Sequence, residues 1–214
     1  MRILPLAPAK SVLALSLMAC TFAGLPVSAQ DTGLACMAQQ CTQEERGSFV
    51  TTGQGVDNAT SDLTGLLSPL MAIARRSLEI CSSQQGWTAY ERESAFMYEM
   101  SRLGEIALRA SATFVPDDLE RFDRALSTQD TTRLWLLIES KVLSTLANEA
   151  DELSVEDRDY IGQFMVDAGL VSADATRDEG RLVGERIGVL LALIAVQRLA
   201  RDQFDGAIVP PIVN

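Results

Sequence analysis

Histidine is missing altogether from the 214 residues, and that absence excludes more chemistry than any other feature of the composition. Without an imidazole there is no Ser-His-Asp or Cys-His catalysis, no histidine-ligated zinc or haem, and no histidine pH switch. Lysine is almost as scarce, with only Lys10 and Lys141. Aromatic residues make up 6% of the chain. No uncharged apolar run reaches the ~20 residues that a membrane span requires. Neither a P-loop nor a G-x-S-x-G elbow occurs. What remains is 47% hydrophobic and 22% charged, a globular balance at a length that suits one compact domain.

Arg2 and Lys10 precede an uncharged stretch over residues 11–25, which Pro26 breaks ahead of the small residues Val27, Ser28 and Ala29. That layout predicts a secretory signal peptide over residues 1–29, cleaved after Ala29. The stretch is 15 residues long, so no transmembrane anchor is expected after processing. Leu17-Met18-Ala19-Cys20 resembles a lipobox, which makes lipid attachment at Cys20 the alternative to ordinary cleavage. The expected location is periplasmic or secreted, in a bacterium. Loss of residues 1–29 removes Arg2 and Lys10 and no acid, leaving 16 basic and 29 acidic side chains and a net charge of −13. So acidic a surface repels phosphate backbones and anionic headgroups, so nucleic acid is not an expected partner.

In an oxidising compartment at least one pair among Cys36, Cys41 and Cys81 should be bridged. Cys36 with Cys41 closes a short loop. Joining either to Cys81 closes a longer one and pins the amino-terminal segment to the body, for a gain of typically 2–4 kcal/mol. Spacing leaves the pairing open, and the third thiol is either buried or free to pair with another chain. Three cysteines without histidine fall short of a tetrahedral set, so no metal or cofactor is expected. Residues 30–60 lack periodicity and are rich in Gly, Thr, Ser and Gln, which predicts an irregular amino-terminal arm with at most a brief strand over 48–52. Gly53-Gln54-Gly55 is not a dinucleotide fingerprint, because Asn58 stands where its third glycine belongs.

From residue 61 to 206 the apolar period is helical, and start and stop signals agree with it. The fold class predicted is all-α, a single-domain bundle of about five to six helices. Ser68-Pro69 reads as an N-cap and first-turn proline for a helix over 70–83, stopped by Gly86. Thr88-x-x-Glu91 is a capping box opening a helix with the stripe Phe96, Met100, Leu103, Ala107 and Ala110, and with Glu105 and Arg109 paired outside it. Pro116-Asp117-Asp118 begins a short helix, supported by Asp117–Arg121 and Glu120–Arg124. A helix over 131–150 turns Trp135, Ile138, Val142 and Leu146 inward. Ser154-x-x-Asp157 caps a helix carrying Ile161, Phe164, Met165 and Ala168 and stopped by Gly169. Thr176-x-x-Glu179 opens the last helix, which runs to about Phe204. Within it residues 187–196 are apolar on every side, ~15 Å of rod. That is the pattern of a central helix that others pack around.

The search for chemistry returns little. Ser140 and Lys141 are adjacent, so on a helix they project about 100° apart, a poor geometry for a Ser-Lys dyad. Asp174, Thr176, Asp178 and Glu185 fall in a calcium-loop register, but Glu179 stands where the turn glycine is needed, and the capping box accounts for the same residues. Glu93-Ser94-Ala95-Phe96 resembles the Glu-Ser-x-Phe signature of lytic transglycosylases, exported helical enzymes that cleave peptidoglycan with a single Glu. The resemblance implies an acid role for Glu93, the one candidate catalytic residue. It covers four residues, and the Gly-Leu-Met-Gln stretch that follows in that family is absent here.

Residues 207–214 are apolar and, with two prolines, unable to continue a helix. Ile208, Val209, Pro210, Pro211, Ile212 and Val213 are the candidate interaction residues, docking into a groove of their own domain or of a partner. Together these features point to an exported, non-catalytic helical protein that acts by binding, as an interaction or assembly component of the bacterial cell envelope. A protein partner or self-association is expected. A carboxylate-based enzyme that cleaves cell wall and a carrier of a small apolar ligand are the alternatives.

Overall fold

The computed structural model describes residues 32–54, 63–111, 114–149 and 152–206. The predicted signal peptide, Cys20 and the segment 207–214 therefore lie outside the described residues. The helices are α1 (Thr32–Gln40), α2 (Gln43–Gln54), α3 (Leu63–Gln85), α4 (Ala89–Arg109), α5 (Pro116–Thr128), α6 (Thr132–Leu146), α7 (Val155–Asp167) and α8 (Arg177–Phe204). The all-α class is thus observed, with no strand among the described residues.

The capping signals act where the sequence places them. Thr88 accepts from the Glu91 amide while Glu91 accepts from the Thr88 amide, and Thr176 with Glu179 does the same at the start of α8. Ser154 accepts from the Asp157 amide. Gly86, Gly169 and Gly206 end their helices at φ +69°, +68° and +72°, backbone that a side chain disfavours.

α4 and α8 form the central pair. They run antiparallel, with Gly104 against Leu193, the Gln197 amide donating to Glu105 at 2.7 Å, and Arg201 donating to the Tyr98 hydroxyl at 3.2 Å. Gly104 permits this approach, because a Cβ there would lie 3.3 Å from the Leu193 methyl. On its other sides α8 meets α6 and α7. Ile187, Leu190 and Leu191 of α8 are buried with Phe122, Leu134 and Phe164. Each such side chain contributes roughly 1.5–3 kcal/mol on leaving water.

Pairwise contacts join α6, α7 and α8. Tyr160 and Phe164 of α7 share a hollow with Gln129 and Asp130, just before α6. The Met165 methyl comes within 3.7 Å of where a Gly184 side chain would begin. Arg198 Nε of α8 donates to Glu139 of α6 at 2.6 Å.

Four expectations need correction. The irregular arm is largely helical: α1 buries Leu34, Cys36 and Met37, and α2 takes in the residues read as a brief strand. With those two helices the described residues hold eight, against the five to six expected. The cause is a third capping box, in which the Thr42 amide donates to Glu45 at 2.9 Å and the Glu45 amide to Thr42 at 3.2 Å. Next, α3 begins at Leu63, so Pro69 sits inside it rather than in its first turn. The spacing of Leu63, Leu66, Leu67 and Leu70 carries the helical period across the proline. In α5 the partner of Arg121 is Asp118, three residues back, not Asp117. Finally, α6 stops at Leu146, because Asn148 adopts φ 55°, and Leu146 is exposed instead of inward.

α1 is held at both ends. Cys36 is bridged to Cys81 of α3, with Cα atoms 5.9 Å apart, and Phe204 lies over Gly33 and edge-on to Trp87 at 5.2 Å between ring centroids. At the α1–α2 corner Arg76 of α3 bonds the Gln40 carbonyl at 3.2 Å and the Glu45 carboxylate at 2.8 Å. The Arg76 bond outweighs the opposing effect of burial and, helped by the Thr42 amide and hydroxyl, holds the Glu45 carboxyl down at about 2. Because that value lies below the unfolded one of about 4.3, the corner's stabilisation is present above pH ~4.3 and is lost as pH falls through the folded value. The pair is largely exposed, so its contribution is about 1 kcal/mol or less. Thermal melts between pH 5 and about 2 are expected to fall more steeply for the wild type than for Glu45→Gln. Equal acid slopes would refute the assignment.

Candidate functional site

The chemistry-bearing candidates do not converge. Glu93 is exposed on the outer face of α4, two residues past the capping box. The carboxylate that α4 does bury is Glu99, at 0% exposure, and it receives both a 2.8 Å and a 2.7 Å bond from the Arg102 fork. No sequence argument singled it out, although it lies three residues after Phe96 and four before Leu103, on the apolar stripe itself.

Of the three cysteines, Cys36 and Cys81 form the bridge, the longer of the loops weighed from sequence. Cys41 keeps its thiol and is buried with Leu70, Ile73, Ala74, Leu103 and Ala107. Of its two expected fates, burial is the one observed.

The calcium register resolves into ordinary helix chemistry. Asp174 accepts from the Ser172 hydroxyl, which holds its carboxyl below the usual carboxylate range; Thr176 caps α8, and Glu185 pairs with Arg181 one turn back. Among the described residues no group of three or more Cys, Asp or Glu is arranged to hold a metal ion. Lys141 is half-buried, and its carbonyl accepts from Ser144 and Thr145. Open hollows of about 440 Å³ beside Tyr160 and Phe164, and about 400 Å³ beside Leu170 and Val183, carry Asp130, Asp167, Asp174 and Glu179 on their walls. Sites for small apolar ligands are instead predominantly hydrophobic concavities. No described helix is long and apolar enough to cross a membrane.

The feature that is not explained by folding lies on α6. Leu134 is its fully buried residue, and Trp135 and Ile138 pack partly against the core. On the opposite side Leu136 and Leu143 are 65% and 52% exposed, and Leu146, on the flank toward Trp135, is 60% exposed. A step of seven stacks Leu136 and Leu143 on one side of a helix, and a step of three sets Leu146 next to Leu143. Beside them Glu139 is tied to Arg198, whose guanidinium lies over Trp135 at 4.7 Å, so this edge of α6 is braced against α8. α6 thus has apolar residues on two faces, of which the fold uses one. Periodicity hinted at this, because Leu134, Leu136, Leu137, Ile138, Val142, Leu143 and Leu146 exceed what a single core face accommodates.

No protein family, no curated protein and no solved structure matches this chain.

Proposed function

We propose that this chain is an exported interaction or assembly component of a bacterial cell envelope, working through binding, with the outer face of α6 as its docking surface. The observation that carries the reading is the row Leu136, Leu143 and Leu146, apolar area in water on a helix already anchored by Leu134. Single exposed leucines are ordinary, whereas several aligned along one helix are how helix-in-groove partners are engaged. The export half of the reading rests on the charge and hydrophobicity layout of residues 1–29, and the Cys36–Cys81 bridge is consistent with an oxidising compartment.

The test is a double substitution, Leu136→Glu with Leu143→Glu. Both residues are solvated and glutamate is a good helix former, so stability is expected to stay within about 0.5 kcal/mol of wild type in urea titration. Cross-linked complexes recovered from the host under non-reducing conditions are expected to be lost. Retention of the same complexes by the double variant would sink the reading.

A further inference from the structure

The outer face of α6 has the spacing of a socket for one side chain of a facing helix. Leu136, Glu139, Ser140 and Leu143 stand at steps of three, four and seven from the first, the set of four that receives a single knob in helix packing. The two leucines form its ends, and both are exposed. Glu139 is held at the α8 edge by Arg198 Nε at 2.6 Å. Ser140 is exposed and the smallest of the four, too short to fill the space between the leucines. Leu136 and Leu143 lie ~10.5 Å apart along α6, two turns, which matches two turns of a second helix.

The charges around the socket say what that helix must carry. Glu152 lines a hollow of about 130 Å³ together with Ser140, Lys141 and Ser144. Past Leu146 the chain turns at Asn148, φ 55°, and the Glu149 amide donates to the Ser144 carbonyl at 2.8 Å, which keeps Glu149 at the carboxyl end of α6. That end of a helix is itself negative. Among the described residues neither Glu149 nor Glu152 forms an ion pair. Arg133, near the other end, is shared by Glu156 and Asp157, and Arg198 is taken by Glu139. Five carboxylates therefore border the face against three cations, in a chain of formal charge −11. A second copy of the chain would bring the same surplus of acid and be repelled by it.

We propose that the outer face of α6 receives a basic amphipathic helix of a partner protein, an inference that rests on the α6 reading above and specifies its partner. A leucine, isoleucine or methionine of that helix enters the socket between Leu136 and Leu143. Lysines or arginines within a turn of it meet Glu149 and Glu152.

The probe is a synthetic helical peptide of about 15 residues, made of leucine, alanine and lysine with leucine at i, i+3, i+4 and i+7. One central leucine carries a diazirine, and a second peptide has glutamate for every lysine. Each is titrated against the full chain, irradiated and mapped by mass spectrometry. The basic peptide is expected to cross-link within residues 136–147 and to weaken at least ~10-fold at ~0.5 M salt, and the acidic one to leave that face unlabelled. Leu136→Gln with Leu143→Gln keeps the charge and is expected to weaken the basic peptide by ~10-fold or more. Glu149→Gln with Glu152→Gln is expected to weaken it roughly 3–10-fold and to flatten the salt dependence. Equal labelling of α6 by both peptides, labelling elsewhere by the basic one, or an affinity that either pair leaves unmoved overturns the proposal. So does a link between chains of different nitrogen isotope through a benzophenone amino acid at position 140, in favour of a second copy. The two readings fail separately. Host complexes lost in Leu136→Glu with Leu143→Glu, with no basic peptide on α6, remove only the identity of the partner. Host complexes that survive in that variant remove the α6 reading itself.

Discussion

Leu190→Asp is expected to leave no cooperatively folded protein. Leu190 is 0% exposed and lies among Phe122, Leu134, Phe164 and Leu191, so four helices meet around it. Removing the leucine alone costs about 2–5 kcal/mol, as Leu190→Ala should show in a protein that still melts cooperatively. The aspartate adds a carboxylate with no partner in apolar surroundings, a further several kcal/mol even if the group takes up a proton. A domain of this size has roughly 5–15 kcal/mol in total, so the sum exhausts it. Circular dichroism and urea titration provide the measurement. A helical, cooperatively melting Leu190→Asp protein would mean that α8 lies at the periphery, and the pairing of α4 with α8 would have to be redrawn.

The body of the bundle was legible because its signals are local and redundant. At Thr88 and Thr176 a hydroxyl and a carboxylate three residues apart satisfy each other's amides, and Gly86, Gly169 and Gly206 supply backbone that other residues resist. Those residues set the helix limits they flank without any help from packing. The amino-terminal helices were missed for two distinct reasons. At Thr42-x-x-Glu45 the same local signal was present but stood in a segment whose composition suggested a loop. At the start of α1 the sequence sets no Glu or Gln three residues after Asp31 or Thr32. The order of α1 depends on Cys81, Trp87 and Phe204, residues 45 or more positions away, and no local pattern reports them.

The candidate site was legible in part. Apolar residues on α6 exceed one face, yet which leucines point outward depends on where α7 and α8 pack, a property of tertiary structure. Leu146 shows the consequence. It continues the inward series Trp135, Ile138 and Val142 by spacing, yet the structure leaves it exposed. The buried pair on α4 was missed because a charge at a stripe position reads as the edge of the wet face, unless its partner is identified with it.

That pair gives the second large expected effect. Glu99 is wholly buried and Arg102 partly so, its side chain 15% exposed, and the two are joined by a fork from one turn to the next. Burial disfavours the Arg102 charge, and the Glu99 bonds outweigh it and hold the guanidinium's pKa above its ordinary value. Arg102→Ala strips Glu99 of both bonds while leaving its carboxylate inside, and the expected loss is about 3–5 kcal/mol in urea titration. Lost packing of the arginine stem must be separated from lost charge pairing. Glu99→Leu with Arg102→Leu does this: with no charge left to strand, it is expected to recover most of the stability. If the double variant is as weak as Arg102→Ala, stem packing and shape account for the loss. If Arg102→Ala costs under ~1 kcal/mol, water reaches Glu99, and α4 is not sealed where α2 and α3 cover it.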